Sequence, residues 1–119
     1  MWLTMLKAKI HGARVTDKQL DYEGSLTIDR ALMDYVQILP YEKVLVANLE
    51  NGQRFETYAI PGAAGTVCLN GAAALLGNRG DRLIIFAFAQ VPVAEAPQHR
   101  PRILRVDENN RPAGGLLAP

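Results

Sequence analysis

Apolar and polar residues alternate in short runs along most of this chain, and few stretches keep a helical period beyond two turns. Over residues 3–10, Lys7 and Lys9 fall on one side and Leu6, Ala8 and Ile10 on the other, the two-residue spacing of a half-buried strand. His11-Gly12 reads as a break, after which Ala13-Arg14-Val15-Thr16 resumes a short extended piece. Asp17-Lys18-Gln19-Leu20 is polar and reads as a turn into Asp21-Tyr22-Glu23-Gly24-Ser25. Leu26-Thr27-Ile28 predicts a further short strand. Asp29 follows as an N-cap, with Ile28 and Met33 spaced as a hydrophobic staple. Leu32, Val36 and either Met33 or Leu39 share one helical face, and Pro40 stops the helix.

Residues 43–49 are β-branched and apolar, and Asn51-Gly52 accepts the positive φ of a hairpin turn, so residues 53–60 predict the return strand. Pro61-Gly62-Ala63-Ala64-Gly65 reads as a loop. Thr66-Val67-Cys68-Leu69 predicts a buried strand ending in a second Asn-Gly, Asn70-Gly71. Ala72-Ala73-Ala74-Leu75-Leu76 predicts a turn or two of helix stopped by Gly77. Residues 83–89 are apolar without a break, which points to burial on both faces or against another subunit. Beyond Pro92 the chain turns polar and proline-rich, with one plausible strand at Arg102-Ile103-Leu104-Arg105-Val106 and a frayed end. Many short strands with one or two short helices indicate a small, mainly β barrel in a single domain.

Composition narrows the partners. A chain of 119 residues can bury a core without metal or disulfide staples. Thirteen basic and twelve acidic residues nearly cancel, giving no electrostatic case for nucleic acid or an anionic membrane. The start lacks the layout of a signal peptide, and no apolar run approaches the about 20 residues of a membrane helix. The single cysteine, Cys68, forms no intrachain disulfide and reads as a small core side chain in a reducing cytoplasm. His11 and His99 lack metal-ligand spacing, there is no phosphate-binding glycine loop, and Asp17, Asp29, Asp34 and Asp81 sit at caps and turns. No metal is expected.

The Gly24-Ser25 bond offers other chemistry. A serine hydroxyl can attack the carbonyl before it, moving the acyl group from nitrogen to oxygen, and a preceding glycine leaves that carbonyl uncrowded. Elimination of the ester leaves a dehydroalanine, and hydrolysis of that gives a ketone, the pyruvoyl group. Taken alone, Gly-Ser is an ordinary loop dipeptide.

Its surroundings change that. Tyr22-Glu23-Gly24-Ser25, then Asn51-Gly52 with Arg54 and Thr57-Tyr58-Ala59-Ile60, then Asn70-Gly71-Ala72-Ala73-Ala74 with Gly80-Asp81, occur in order and at fitting separations. With Thr4-Met5-Leu6, Lys7, Lys9, His11 and Val15-Thr16 at the start, this set resembles the bacterial aspartate 1-decarboxylase family over residues 1–91. The 61–65 loop is slightly shorter than in that family, and the proline-rich tail matches nothing in particular.

The resemblance implies a six-stranded double-psi β-barrel with short helices. Residues 1–91 would be the catalytic domain and 92–119 a partly flexible C-terminal segment. It implies self-cleavage between Gly24 and Ser25 supported by Thr57, and a covalent pyruvoyl cofactor derived from Ser25. Through a Schiff base that group would convert L-aspartate to β-alanine for pantothenate biosynthesis. Tyr58 would be the proton donor, and Lys9, Arg54, Thr57, Asn70, Gly71, Ala72 and Ala73 would bind substrate, with His11 and Tyr22 in support. The family assembles as a cytoplasmic homotetramer with sites at subunit boundaries, and some members need a maturation factor. Thr57 and Tyr58 would point to opposite faces of a regular strand, so either a bulge re-aims one or the site lies between subunits. Two other readings carry the same residues: a non-catalytic β-barrel that binds or assembles with the bond intact, and an unprocessed precursor.

Overall fold

The computed structural model of the chain describes residues 1–117. Among these residues, nine strands and a few short helices form one mainly β domain. The strands are β1 (Trp2–Arg14), β2 (Asp17–Gln19), β3 (Ser25–Asp29), β4 (Lys43–Asn48), β5 (Arg54–Gly62), β6 (Val67–Asn70), β7 (Arg82–Pro92), β8 (Arg102–Val106) and β9 (Pro112–Leu117). Hydrogen bonds join them in the order β2-β6-β3-β5-β4-β7-β1-β8-β9. The count exceeds six because β2 and the C-terminal β8–β9 pair also join the ladder.

The period-two reading of the start holds, but the strand is longer than the pattern suggests. β1 runs through the expected break, absorbing it as a bulge between His11 and Ala13 with Gly12 at φ +89°. The expected turn at residues 17–20 is instead the edge strand β2, parallel to β6. An edge strand has no second neighbour to bury it, so its polar residues stay in water, and Asp17 meets Arg79 at 2.8 Å.

Asn51-Gly52 forms the turn between antiparallel β4 and β5, as its residue types require. β5 continues through Pro61 and Gly62, expected as loop, because these pair with Ile28 and Asp29 of β3. Helix α1 (Arg30–Val36) begins where expected, with the Asp29 side chain accepting from Ala31 N–H. Leu32, Met33 and Val36 are its buried face, while Leu39 is 64 % exposed. Gln37, left-handed at φ +62°, ends the helix before Pro40 is reached. The alanine tract is a 3-10 helix over Gly71–Leu76.

The core lies between these elements and draws on both ends of the sequence. Ile10, Leu26, Ile28, Leu69, Leu83, Ile85 and Leu104 are fully buried. In β7 the burial is one-sided: Leu83, Ile85 and Ala87 point inward, whereas Ile84 and Phe86 are half-buried and Phe88 is exposed. That leaves an apolar outer face across β4, β7 and β1. The proline-rich stretch also contributes: β8 lies parallel to β1, and Leu104 and Val106 join the core. β9 pairs its backbone with β8, and the last two residues of the expected frayed end fall outside the described residues.

Because Leu104 packs at zero exposure from beyond the proline-rich boundary, Leu104→Ala is expected to destabilise the protein by about 2–4 kcal/mol in denaturant unfolding. A loss under about 1 kcal/mol would place the C-terminal hairpin outside the cooperative unit.

Candidate active site

Ser25 is the first residue of β3, and its side chain is 1 % exposed. Antiparallel pairing sets it opposite Asn70, the last residue of β6. The Asn70 amide donates to Ser25 Oγ at 2.9 Å and to Thr27 Oγ1 at 2.9 Å, while its Oδ1 accepts from Cys68 Sγ at 3.3 Å. Both amide hydrogens and the amide oxygen are therefore engaged, which fixes the side chain in one orientation. A donor on Ser25 Oγ favours negative charge there. Cys68 is the buried small side chain the sequence suggests, and burial pushes its thiol pKa up.

The chain before Ser25 is positioned by glycine contacts. Gly71 has φ +63°, and a Cβ built there would lie 2.8 Å from Gly24 Cα and 2.9 Å from Tyr22 O. Both the backbone conformation and the close approach restrict this position to glycine. At Gly24 itself a Cβ would meet nothing within 4 Å, so its carbonyl is uncrowded on that side. The 20–24 loop thus rests on Gly71 from one side and is open on the other.

That open side is a cleft of about 580 Å³ lined by Ser25, Tyr22, Tyr58, Tyr41, Asp21, Glu23, Ile60 and Pro61. Parallel pairing of Leu26 with Ala59 brings Ser25 level with Tyr58 on the next strand. Tyr41 stands beside Tyr58 with ring centroids 6.3 Å apart and planes tilted by 37°, inside the range where aromatic pairs attract by about 0.5–1.5 kcal/mol. Behind Asn70 a smaller cavity of about 330 Å³ is lined by Thr16, Thr27, Thr66 and Cys68, with Tyr22 on both cavities.

Other expected residues stand elsewhere in the single chain. The β5 pairings with β3 and β4 contain no bulge, so Thr57 and Tyr58 do point to opposite faces. Arg54 and Glu56 share Tyr58's face, but Arg54 is four residues away, about 13 Å along the strand. Lys9 lies on β1, in register with Phe86, which faces Leu45, which faces Glu56. Its Nζ sits 5.8 Å from the Phe86 ring centroid, a cation–π contact on the outer sheet face. His11 is two residues further along that face, and burial, then the charges of Lys9, Arg105 and Arg82, hold its pKa below the ordinary 6.5. Ala72 is exposed, whereas Gly71 and Ala73 are buried at the start of the 3-10 helix. Among the described residues, no group of three or more His, Cys, Asp or Glu side chains is placed to hold a metal ion.

Sequence reasoning missed Tyr41, Ile60, Pro61 and Thr27. Thr27 was readable, since period two places it on Ser25's side of the strand. Tyr41 and the turn that presents it had no local signal pointing to Ser25, because only tertiary pairing brings residues 41 and 58 together.

The candidate site is thus a buried serine behind an unhindered glycine, beside a tyrosine-lined cleft on a small β domain. The family model described as aspartate decarboxylase matches residues 1–113. A protein named aspartate 1-decarboxylase from Salinibacter ruber is 56 % identical over 112 residues, covering 92 % of this chain and 77 % of its own length. Proteins of the same name from Syntrophobacter fumaroxidans and Leptospira biflexa are 56 % and 53 % identical, covering 96 % and 94 % of this chain. The chain belongs to the aspartate decarboxylase family.

Gly71→Ala is expected to destabilise the protein by about 2–3 kcal/mol and to speed proteolysis of the 20–24 loop, since the added methyl must displace Gly24. Unchanged stability and protease resistance would show that the loop does not rest on Gly71.

Proposed function

We propose that the chain cleaves itself between Gly24 and Ser25, converts Ser25 into a pyruvoyl group, and decarboxylates L-aspartate to β-alanine. The observation that carries this reading is the buried Ser25 Oγ held at 2.9 Å by the Asn70 amide, directly after an uncrowded Gly24. The names of relatives at 50–56 % identity supply the substrate.

In the cleavage, Ser25 Oγ adds to the Gly24 carbonyl carbon and the peptide C–N bond breaks, leaving an ester. Loss of the Ser25 Cα proton then breaks the Cβ–Oγ bond and releases Gly24 as a carboxylate. Water adds to the resulting imine tautomer and ammonia leaves, so that a ketone remains at residue 25. Asn70 stabilises charge on Oγ during the first step, and Thr57, on the face of β5 away from Tyr58, supports the tetrahedral intermediate only across a subunit boundary. The ketone supplies an electrophile for the substrate amine and an electron sink when carbon dioxide departs.

The chain's own residues do the binding and the proton transfer. Tyr58, level with Ser25 on the cleft side, delivers a proton to the substrate carbon after carboxylate loss. The cleft of one chain cannot by itself welcome a dianion, because Asp21 and Glu23 line it and Arg54 and Lys9 lie elsewhere on the sheet. The cations therefore come from a neighbouring copy whose outer face, with Arg54, Lys9 and His11, closes over the cleft. Arg54's planar fork grips one carboxylate and Lys9 neutralises the other. Asn70, Gly71, Ala72 and Ala73 line the substrate's far side, and Tyr22 supports it. This arrangement is a homotetramer with shared sites, acting in the cytoplasm to supply pantothenate synthesis, with a maturation factor as an optional partner.

Denaturing mass spectrometry of purified protein tests the cleavage. Two fragments meeting at Gly24 and Ser25, the larger without a free amine, are expected, and Ser25→Ala is expected to stay whole and make no β-alanine. A wild-type chain still intact after prolonged incubation favours the non-catalytic reading, and β-alanine from Ser25→Ala would sink the pyruvoyl mechanism. For Tyr58→Phe the expectation is normal cleavage with kcat lowered by roughly 100-fold, the usual scale for a lost acid. Wild-type turnover in that variant would remove Tyr58 as donor.

A further inference from the structure

The turn between α1 and β4 contains a residue that its backbone does not favour. In Leu39-Pro40-Tyr41-Glu42 the Glu42 N–H donates to Leu39 O at 3.1 Å, Pro40 occupies the second position, and Tyr41 has φ +70°. These are the marks of a type II β-turn, whose third position calls for Gly or Asn because a Cβ is crowded at positive φ. The chain places a tyrosine there and leaves it 78 % exposed. The other non-glycine residues at positive φ have a visible structural return. Gln37 closes α1, its N–H donating to Asp34 O. Asn110, 1 % exposed, donates from Nδ2 to Arg14 O and Gly65 O. Tyr41 buries no comparable surface.

What the strained turn does is hold a ring beside Tyr58 in the wall of the Ser25 cleft. The turn is tied to β5 at the residue next to Tyr58: Tyr41 N–H donates to Ala59 O at 2.7 Å and Ala59 N–H to Glu42 O at 2.9 Å. Glu42 is fixed in turn from β1, accepting from Lys7 Nζ at 2.7 Å, and it also accepts from Leu39 N–H at 2.9 Å. The ring's place relative to Tyr58 is thus set by backbone bonds and a cross-strand ion pair. Strained φ values of this kind gather where a side chain must be presented against its backbone's preference.

We propose that Tyr41 is a positioning residue for Tyr58. Its ring flanks the Tyr58 phenol on the open side of the cleft, narrows the rotamers that phenol can adopt, and so keeps its hydroxyl aimed toward residue 25. The inference rests on the reading of Ser25 and Tyr58 given above.

Tyr41→Asn separates this role from a structural one, because asparagine suits the turn while removing the ring. The expected result is an unchanged or raised thermal midpoint, normal Gly24-Ser25 cleavage by mass spectrometry, and kcat per processed chain lowered about fivefold with KM nearly constant. Tyr41→Phe, which keeps the ring, is expected to restore most of that kcat. In a Tyr58→Phe background Tyr41→Asn is expected to cause little further loss, since a residue that acts through Tyr58 has nothing left to position. Wild-type kcat in Tyr41→Asn, or full additivity in the double variant, overturns the inference while leaving the functional reading intact. A fall in thermal midpoint parallel to the fall in kcat makes Tyr41 a structural residue and overturns it too. A wild-type chain that neither cleaves nor makes β-alanine overturns the functional reading and this inference together.

Discussion

The Asn70 amide has one arrangement in which all its polar atoms are matched, and the β3–β6 ladder imposes it. Ser25 pairs with Asn70 and Thr27 with Cys68, so two hydroxyls converge on Nδ2 while the thiol approaches Oδ1. A slip of one residue in that ladder would turn Ser25 and Thr27 to the opposite face. It would also strand a buried amide, at a cost of about 1–3 kcal/mol for each unmet group. The register of two short strands and the placement of the Ser25 hydroxyl are therefore one constraint. Apolar packing of Leu26, Ile28 and Leu69 on the same strands reinforces it.

The glycine contact follows from that constraint. Once β6 ends at Asn70, the chain must turn at once into the 3-10 helix, and Gly71 does so at positive φ with no room for a Cβ beside Gly24. No other residue type meets both demands. The loop before Ser25 is consequently fixed beneath and free above, and the free side is the cleft that Tyr58 and Tyr41 enclose.

How far this was readable from the sequence depends on the range of the interactions involved. Asn51-Gly52 and the Asp29 cap are decided within four residues, and both elements formed where expected. Residues 17–20 misled because an edge strand gains its bonds from β6, some fifty residues away, and needs no apolar pattern of its own. His11-Gly12 looked like an end but is a bulge, a distinction that depends on β7 continuing opposite. The Ser25 neighbourhood was legible only through family resemblance, since Gly-Ser is common in loops. Tyr41 was illegible by either route, because its significance lies in a turn type its own side chain disfavours and in a partner seventeen positions along the chain.

The two faces of β5 divide the expected site residues. With no bulge in its pairings, Thr57 and Tyr58 cannot serve the same side of one chain, and Arg54 lies on Tyr58's face but remote from Ser25. The outer face of β5, β4, β7, β1 and β8 combines the half-buried Leu45, Ile84 and Phe86 with Lys9, His11 and Arg105 at one border and Glu56 at the other. The cleft beside Ser25 offers the complement, aromatic rings with Asp21 and Glu23 at its edge. On the proposed reading, one copy's outer face covers its neighbour's cleft, and the apolar centre supplies the association while the charged border meets the substrate. Burial in such a contact would disfavour the charged form of His11 further, in the direction already set by Lys9, Arg105 and Arg82. With the folded-state pKa below the unfolded one, neutral His11 contributes stability at neutral pH that is lost as pH falls below about 6.5 toward the lowered value. On the proposed reading, assembly through this face and tolerance of acid would be opposed, and the opposition would reside in the same few side chains that bring the cations to the cleft.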